Sequence, residues 1–324
     1  MSALLEVKNL RTSFKTDNGI VAVVDGVDFA INPGETLGVV GESGCGKSVT
    51  SLSIMRLLPS NARNEGTITF QGNELLSYSE KQMQGVRGND IAMIFQEPMT
   101  SLNPLHTVGK QIEEAILLHM KVSKQEAKQR AIGMLKAVGM PRAEEIYGEH
   151  PHQLSGGMRQ RVMIAMAMAC DPKLIIADEP TTALDVTIQA QILDLMRDLK
   201  DKTGTSIMLI THDLGVVAEM CDRVIVMYAG QVVEETDVMT LFENPKHPYT
   251  IGLINSIPNF EDEKEYLNTI PGSVPLPYEM PKGCRFAPRC THVKEICNQQ
   301  APQLEEIEQQ HKCRCWLYTE EDAS

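Results

Sequence analysis

The feature of the sequence that most constrains the fold is the octapeptide Gly-Glu-Ser-Gly-Cys-Gly-Lys-Ser at residues 41–48. It fits the pattern G-x-x-x-x-G-K-S/T, follows the apolar run 36–40 directly and precedes the apolar helical stretch 49–58. This strand-to-helix context is the one that the pattern requires. The glycines let successive backbone N–H groups face one concavity, where they hold phosphate oxygens at the positive end of the helix. The sequence therefore predicts a phosphate-binding loop, in which Lys47 reaches the β- and γ-phosphates of a nucleotide and Ser48 binds Mg²⁺ through its hydroxyl.

The arrangement of apolar runs predicts an α/β fold. Two further buried-strand candidates, residues 174–177 and 207–210, are separated by the amphipathic stretch 188–199. Such alternation indicates a parallel sheet covered by helices. The polar section 104–150 has helical patterning, as in the heptad-like stretch 123–138, and shows no strand signal. We interpret it as a helical subdomain inserted between core strands.

The composition changes after about Tyr249. Proline becomes frequent, hydrophobic periodicity fades, and five of the eight cysteines lie between Cys284 and Cys315. This change indicates a separate, loop-rich extension. We therefore predict a main domain over residues 1–255, with the helical subdomain at about 104–160, and a cysteine-containing C-terminal extension over residues 256–324.

Charge and hydropathy exclude some classes of function. The formal net charge of −13 argues against broad binding to the phosphate backbone of nucleic acids. The longest apolar runs, such as residues 162–170, are about half of the roughly 20 residues that a membrane-spanning helix needs. The N-terminus carries no basic segment followed by an apolar one, so it does not read as a signal peptide. We expect a chain that neither binds nucleic acid nor crosses a bilayer by itself.

Two strand ends carry side chains suited to phosphoryl transfer. The run 174–177 ends in Asp178 and Glu179, and the run 207–210 is followed by Thr211 and His212. Asp178 can hold the magnesium shell, whereas Glu179 can orient or deprotonate an attacking water. His212 is placed where an imidazole contacts a γ-phosphate. We therefore predict Glu179, His212 and Lys47 as catalytic residues.

The heptapeptide Leu-Ser-Gly-Gly-Met-Arg-Gln at residues 154–160 is more specific than the phosphate loop. Ser155 and the glycines that follow it offer a hydroxyl and exposed amides at a helix start, which is a second anion site. The heptapeptide resembles the signature sequence of ABC ATPases, and the resemblance covers about 250 residues. It implies a P-loop NTPase core that binds and hydrolyses ATP, with Ser155 and Gly157 facing the ATP of a partner subunit.

The resemblance implies further roles in this sequence. Gln96 is similar to a loop glutamine that senses magnesium and the nucleophilic water, which implies that Gln96 is a further catalytic residue and a magnesium ligand. Asp185 is similar to a residue at the dimer interface. Phe14 is similar in position to an aromatic residue that stacks on adenine, although it also fits a core strand residue. Val49 stands where many members have a threonine, which leaves a backbone amide for the α-phosphate. The implied ATP-binding positions of the loop are Gly41, Ser43, Gly44, Cys45, Gly46, Lys47, Ser48 and Val49.

Two stretches narrow the resemblance to importers of oligopeptides, dipeptides or nickel. These are residues 96–104, Gln-Glu-Pro-Met-Thr-Ser-Leu-Asn-Pro, and residues 244–250, Asn-Pro-Lys-His-Pro-Tyr-Thr. The resemblance implies a peripheral subunit on the cytoplasmic face of the membrane, energising peptide uptake. It also implies a paralogous partner ATPase, two membrane-spanning permease subunits and an extracytoplasmic solute-binding protein. A nickel importer, another solute and a soluble ABC ATPase remain alternatives.

The clustered cysteines suggest a metal centre in a chain without an export signal. Four sulfurs suit either tetrahedral zinc or a four-iron cluster, and their spacing does not choose between the two. The resemblance to peptide-importer ATPases favours a [4Fe-4S] cluster, and reduced thiols without a metal are the alternative. The predicted ligands are Cys284, Cys290, Cys297 and Cys315, with Cys313 as the alternative to Cys315.

Overall fold

The computed structural model describes residues 2–17, 19–97, 101–182, 184–257 and 269–318. The strands are β1 (Leu5–Thr16), β2 (Gly19–Ile31), β3 (Thr36–Val40), β4 (Ala62–Phe70), β5 (Asn73–Glu74), β6 (Ile91–Ile94), β7 (Leu174–Asp178), β8 (Ser206–Ile210), β9 (Arg223–Tyr228), β10 (Gln231–Asp237), β11 (Glu305–Glu308) and β12 (His311–Cys313). The α-helices are α1 (Lys47–Met55), α2 (Glu80–Val86), α3 (Val108–His119), α4 (Lys124–Ala137), α5 (Ala143–Ile146), α6 (Gly156–Met168), α7 (Val186–Thr203), α8 (Leu214–Met220), α9 (Val238–Glu243), α10 (Pro248–Asn255) and α11 (Glu295–Gln299).

The chain divides into two compact units. Unit 1 comprises residues 1–30, 37–76 and 211–324, and unit 2 comprises residues 31–36 and 77–210. Each unit therefore draws on stretches that are distant in the sequence.

Unit 1 contains an antiparallel sheet in the order β2-β1-β4-β5. It also contains the strand order β11-β12-β10-β9-β3, in which β3 is parallel to β9 and β9 is antiparallel to β10. Strand β3 is buried along its whole length, which explains its continuous apolar sequence. A hydrophobic cluster that includes Val40, Tyr228, Tyr249 and Phe286 packs against this second group of strands.

Unit 2 contains the parallel strands β6, β7 and β8. Helix α3 buries Val108, Ile112 and Ile116, which lie on one face because they are spaced by four residues. Helix α4 begins at a capping box made by Ser123 and Glu126. The part of residues 101–160 that the structure describes contains helices and no strand.

The predicted α/β fold with parallel strands is confirmed. The sequence did not predict the antiparallel sheet of β1, β2, β4 and β5. Within residues 269–318 of the extension, most positions lie outside helices and strands. Strand β12 pairs antiparallel with β10, so the extension adds strands to the main domain. Among the helices that the structure describes, none is both long enough and apolar enough to span a membrane.

Candidate active site

The phosphate loop connects β3 to α1 in unit 1. Gly41, Gly44 and Gly46 have φ angles of 150°, 80° and 103°, in the region that side chains rarely adopt. A Cβ atom on Gly41 would lie 2.2 Å from the carbonyl oxygen of Met227. Glycine is therefore required at this position by both conformation and space.

Lys47 is the first residue of α1, and only 6% of its surface is exposed. Its Nζ donates to the carbonyl oxygens of Gly41 and Glu42, at 2.7 and 3.1 Å. The ammonium group is thus held against the backbone at the beginning of the loop. Ser48 is exposed and Val49 is half-buried.

Cys45 lies within the loop with its side chain fully buried. Burial raises the pKa of its thiol, although the nearby ammonium of Lys47 opposes this shift. The thiol is therefore neutral at pH 7, and the Cys45 carbonyl oxygen accepts a hydrogen bond from the N–H of Gly230 at 2.9 Å. Ser43 and Gly44, in contrast, are exposed.

Glu42 is tied to two residues from the C-terminal half of the chain. Its N–H donates to the Tyr249 hydroxyl at 2.9 Å, and its carboxylate accepts two hydrogen bonds from Arg289, at 2.6 and 3.0 Å. The sequence predicted Glu42 as part of the loop but did not predict its contacts with Tyr249 and Arg289. Tyr249 lies within the segment 244–250, which resembles a segment of peptide importers. No sequence pattern around Arg289 distinguishes that residue.

His212 is exposed at the beginning of α8. Together with Gly41 and Asp213 it lines a cavity of about 330 Å³. The structure therefore brings the predicted His212 and the first glycine of the phosphate loop to one cavity within unit 1.

Asp178 is the last residue of the buried strand β7 in unit 2, and Glu179 follows it directly. Asp178 is 6% exposed, and Glu179 has a left-handed backbone with φ of 48°. Glu179 Oε2 accepts hydrogen bonds from Gln96 Nε2 at 3.0 Å and from the Thr182 hydroxyl at 2.9 Å. Gln96 and Glu179 are 83 residues apart in the sequence, and the fold joins them as a pair of predicted catalytic residues.

The remaining predicted residues of unit 2 lie at two helix starts. Ser155 caps α6 by accepting a hydrogen bond from the N–H of Met158, and Asp185 caps α7 through the N–H of Ile188. A Cβ atom on Gly157 would lie 2.9 Å from Ile188 Cγ2, so the two helix starts pack closely. Ser155 and Asp185 are both exposed.

Phe14 lies near the end of β1, where it pairs with Ala62 of β4 and is half-buried. Both interpretations of this residue, as an adenine contact or as a strand residue, remain predictions.

The predicted iron–sulfur cluster is wrong. Cys284, Cys290, Cys297 and Cys315 line one cavity, but its volume is about 10 Å³. That is about the space for one water molecule, too little for four iron and four sulfide ions. In the ranges that the structure describes, no group of three or more His, Cys, Asp or Glu side chains is arranged to hold a metal ion. The zinc alternative and the alternative ligand Cys313 are also wrong, because this absence of a ligand group among the described residues applies to any metal ion.

The thiols of the extension differ in how readily they lose a proton. Burial raises the pKa of Cys284 to about 11 and also raises that of Cys290. The interaction between the neighbouring thiols of Cys313 and Cys315 raises the pKa of Cys313 and lowers that of Cys315. Spacing alone indicated ligands, but it carried no information on burial or on the space between the sulfurs.

The phosphate loop, the carboxylates after β7 and the signature heptapeptide at α6 together define an ATP-binding cassette. The ABC transporter family model matches residues 24–182, and the model of the oligopeptide/dipeptide transporter C-terminal region matches residues 233–297. The chain belongs to the ABC transporter family and is an ATP-hydrolysing subunit of an importer.

Particular relatives match along the whole chain. Oligopeptide transport ATP-binding protein AppD of Bacillus subtilis (strain 168) is 56% identical over 325 residues, covering 100% of this chain and 99% of that protein. Oligopeptide transport ATP-binding protein OppD of Escherichia coli (strain K12) is 51% identical over 319 residues, covering 98% of this chain and 94% of that protein. The structure is also similar to a dimeric, post-hydrolysis structure of the ATP-binding cassette MJ0796 bound to ADP and Pi. That likeness has a TM-score of 0.65 and 29% identity, and it covers 72% of this chain and 98% of the other.

Proposed function

We propose that this subunit energises the uptake of oligopeptides or dipeptides across the cytoplasmic membrane. The observation that carries the proposal is the match to the oligopeptide/dipeptide transporter C-terminal region at residues 233–297, on the same chain as the ATPase cassette. The names of the relatives AppD and OppD support it, since both are oligopeptide transport proteins. A nickel or other solute importer is the alternative within the same family.

In the proposed mechanism, the amides of the loop 41–48 and the ammonium of Lys47 bind the phosphates of ATP. Glu179 orients or deprotonates the attacking water, and Gln96, hydrogen-bonded to it, holds that carboxylate in place. His212 contacts the γ-phosphate, and Phe14 stacks on adenine.

The oxygen-donating side chains fit Mg²⁺, which prefers oxygen ligands and is usually held by one or two carboxylates together with substrate phosphates. Asp178, Ser48 and Gln96 are the proposed ligands. When bound, Mg²⁺ supplies positive charge that stabilises the negative charge on the phosphate oxygens.

An ABC importer ATPase works with a partner ATPase and with membrane permease subunits, at the cytoplasmic face of the membrane. We further propose that the partner is a paralogue and that an extracytoplasmic binding protein delivers the solute. Ser155 and Gly157 then contact the partner's ATP, and Asp185 lies at the interface between the two cassettes. The dimeric structure of MJ0796 with ADP and Pi supports this arrangement by likeness.

The test is transport by the reconstituted complex in proteoliposomes, with ATP inside and the binding protein outside. Uptake of a labelled tetrapeptide, a labelled dipeptide and ⁶³Ni²⁺ is compared between complexes that carry wild-type chain and Glu179→Gln chain. We expect ATP-dependent peptide accumulation with the wild-type complex and none with the variant. Nickel uptake without peptide uptake would replace the proposed solute, whereas ATP hydrolysis without uptake of any of the three would contradict the peptide proposal.

A further inference from the structure

Glu42 places a carboxylate in the second position of the phosphate loop. Its side chain is 31% exposed, so it is partly removed from solvent. Like charges repel more strongly where water is excluded, and the loop is proposed to bind a polyphosphate. An unpaired carboxylate at this position would therefore oppose nucleotide binding.

Arg289, from the C-terminal extension, pairs with this carboxylate. Its side chain is 4% exposed and forms both hydrogen bonds of a bidentate pair, at 2.6 and 3.0 Å. The same guanidinium donates to the carbonyl oxygens of Pro271 and Ile270, at 2.9 and 3.3 Å. It also lies 5.7 Å from the centre of the Tyr228 ring. Bidentate pairs of this kind fix orientation as well as charge.

Tyr249 fixes the backbone of Glu42. Its hydroxyl accepts the N–H of Glu42, and its ring is fully buried against Tyr228 and Phe286, with ring centres 4.7 and 5.5 Å away. A buried aromatic cluster thus positions the acceptor for one loop amide.

Glu42 also contacts Lys47, the proposed catalytic lysine. The carbonyl oxygen of Glu42 accepts a hydrogen bond from Lys47 Nζ at 3.1 Å. A continuous series of hydrogen bonds therefore joins Arg289 through Glu42 to Lys47. Displacement of Glu42 would change both the loop backbone and one of the carbonyl groups that hold the ammonium.

We propose that Arg289 is a positioning residue for nucleotide binding, through which the C-terminal extension neutralises Glu42 and fixes the phosphate loop. This inference rests on the proposed function of residues 41–48 as the ATP-binding loop. It assigns to the extension a part in ATP affinity, separate from any part in solute recognition.

The experiment compares wild-type chain with Arg289→Gln, Glu42→Gln and the double variant. The dissociation constant for a fluorescent ATP analogue, the kcat at saturating ATP and the thermal midpoint are measured for each. We expect Arg289→Gln to weaken nucleotide binding by about tenfold or more, which is the order of one hydrogen bond to a charged group. The kcat at saturating ATP should fall less than the affinity, because Lys47 keeps its hydrogen bond to the carbonyl oxygen of Gly41.

The double variant separates positioning from general support of the fold. Glu42→Gln removes the charge that Arg289 neutralises, so the double variant should recover most of the lost affinity. If Arg289 only anchors Pro271 and Ile270, Glu42→Gln will restore nothing. Should Arg289→Gln fail to fold, the double variant decides, because it no longer leaves the Glu42 carboxylate without its partner. A folded double variant with weak nucleotide binding overturns the inference.

Arg314→Gln is the matched control. Arg314 is also a buried arginine of the extension, 9% exposed, but it donates to the carbonyl oxygens of Val232 and Pro302. We expect it to lower the thermal midpoint while the ATP affinity is unchanged.

Lys47→Ala distinguishes failure of the inference from failure of the proposed function. If Lys47→Ala loses nucleotide binding while Arg289→Gln binds like wild type, the positioning role is refuted and the ATP-binding loop stands. If Lys47→Ala also binds like wild type, the proposed function of the loop itself is refuted, and the inference with it.

Discussion

At the scale of single residues, Glu179 combines a strained backbone with a constrained side chain. A left-handed conformation costs a residue other than glycine about 1–3 kcal/mol, and it persists only where surrounding contacts hold it. Here the N–H of Glu179 donates to Ile210, and the carboxylate accepts from Gln96 and Thr182. The contacts direct the carboxylate to one orientation, which suits the proposed role of Glu179 in activating water.

Glu179→Gln should retain ATP binding and lower kcat by about 100-fold or more, because a general base contributes 10²- to 10⁴-fold. Phosphate release and equilibrium nucleotide binding measure the two effects separately. Thr182→Val, which removes only one hydrogen bond to the carboxylate, is the matched control and should have a smaller effect. Wild-type turnover by Glu179→Gln would refute the assigned role.

His247 makes the stability of unit 1 dependent on pH. Burial lowers its pKa from 6.5 to about 4, and its Nδ1 accepts the N–H of Tyr249 at the start of α10. A proton on Nδ1 would remove this cap. The stabilisation is therefore complete above pH 6.5 and is lost as the pH falls towards 4, with a maximum effect of about 3 kcal/mol.

The measurement is the thermal midpoint of wild-type chain and His247→Asn between pH 7 and pH 4.5. An asparagine side chain still offers an acceptor to the N–H of Tyr249 but does not titrate. The midpoint of the variant should thus fall less steeply with decreasing pH. Parallel curves for the two proteins would show that His247 contributes nothing to the pH dependence.

At the scale of elements, Asp185 at the start of α7 combines a structural role with a predicted functional role. Asp185 caps this 18-residue helix, and it is also the residue proposed to lie at the cassette interface. Asp185→Ala should lower the free energy of unfolding by about 1 kcal/mol, the usual cost of a lost N-cap. Chemical denaturation of the isolated chain measures this cost without a partner subunit.

Asp185→Asn is the control for the cap, because asparagine caps helices about as well as aspartate. Equal stability of Asp185→Ala and wild-type chain would show that the cap is unimportant. Loss of ATPase activity in the assembled complex of Asp185→Asn, with its stability retained, would support the interface role.

The elements with continuous apolar sequence were predictable. Strands β3, β7 and β8 are buried along their whole length, so sequence and structure agree to within one residue. The antiparallel sheet was not predicted, because its pairings are non-local. Leu5 pairs with Phe70 and Phe14 with Ala62, and neither segment carries a signal for its partner.

At the scale of the whole molecule, the motif residues were predictable and the contacts that support them were not. The octapeptide 41–48 was recognised as a phosphate-binding loop from its pattern. The signature heptapeptide was likewise recognised from its sequence, and it lies at the start of α6. Arg289, in contrast, is one of 30 lysine and arginine residues, and its pairing with Glu42 spans 247 positions. Local sequence carries no information about such a pairing, because it arises only when distant segments fold into one unit.

For the cysteines, the sequence predicted a site that the structure does not contain among the residues it describes. Their spacing and a family resemblance suggested a metal centre, although metal binding also depends on how the sulfurs are arranged in space. Within unit 1, Cys284 and Cys290 pack against the cluster of Tyr228, Tyr249 and Phe286. These thiols behave as small apolar side chains that attach the extension to the sheet.

The pairing of the extension with β10 also determines which strand is left at the margin of the sheet. Strand β11 occupies that position and has the sequence Glu-Glu-Ile-Glu, with its glutamates exposed. Strands at a margin have unpaired backbone groups that attract other chains, and charged side chains discourage such association. Without β11 and β12, the same backbone groups of β10 would be open to strands of neighbouring molecules. The exposed glutamates of β11 therefore disfavour edge-to-edge pairing of two copies of this subunit, because the facing negative charges repel each other.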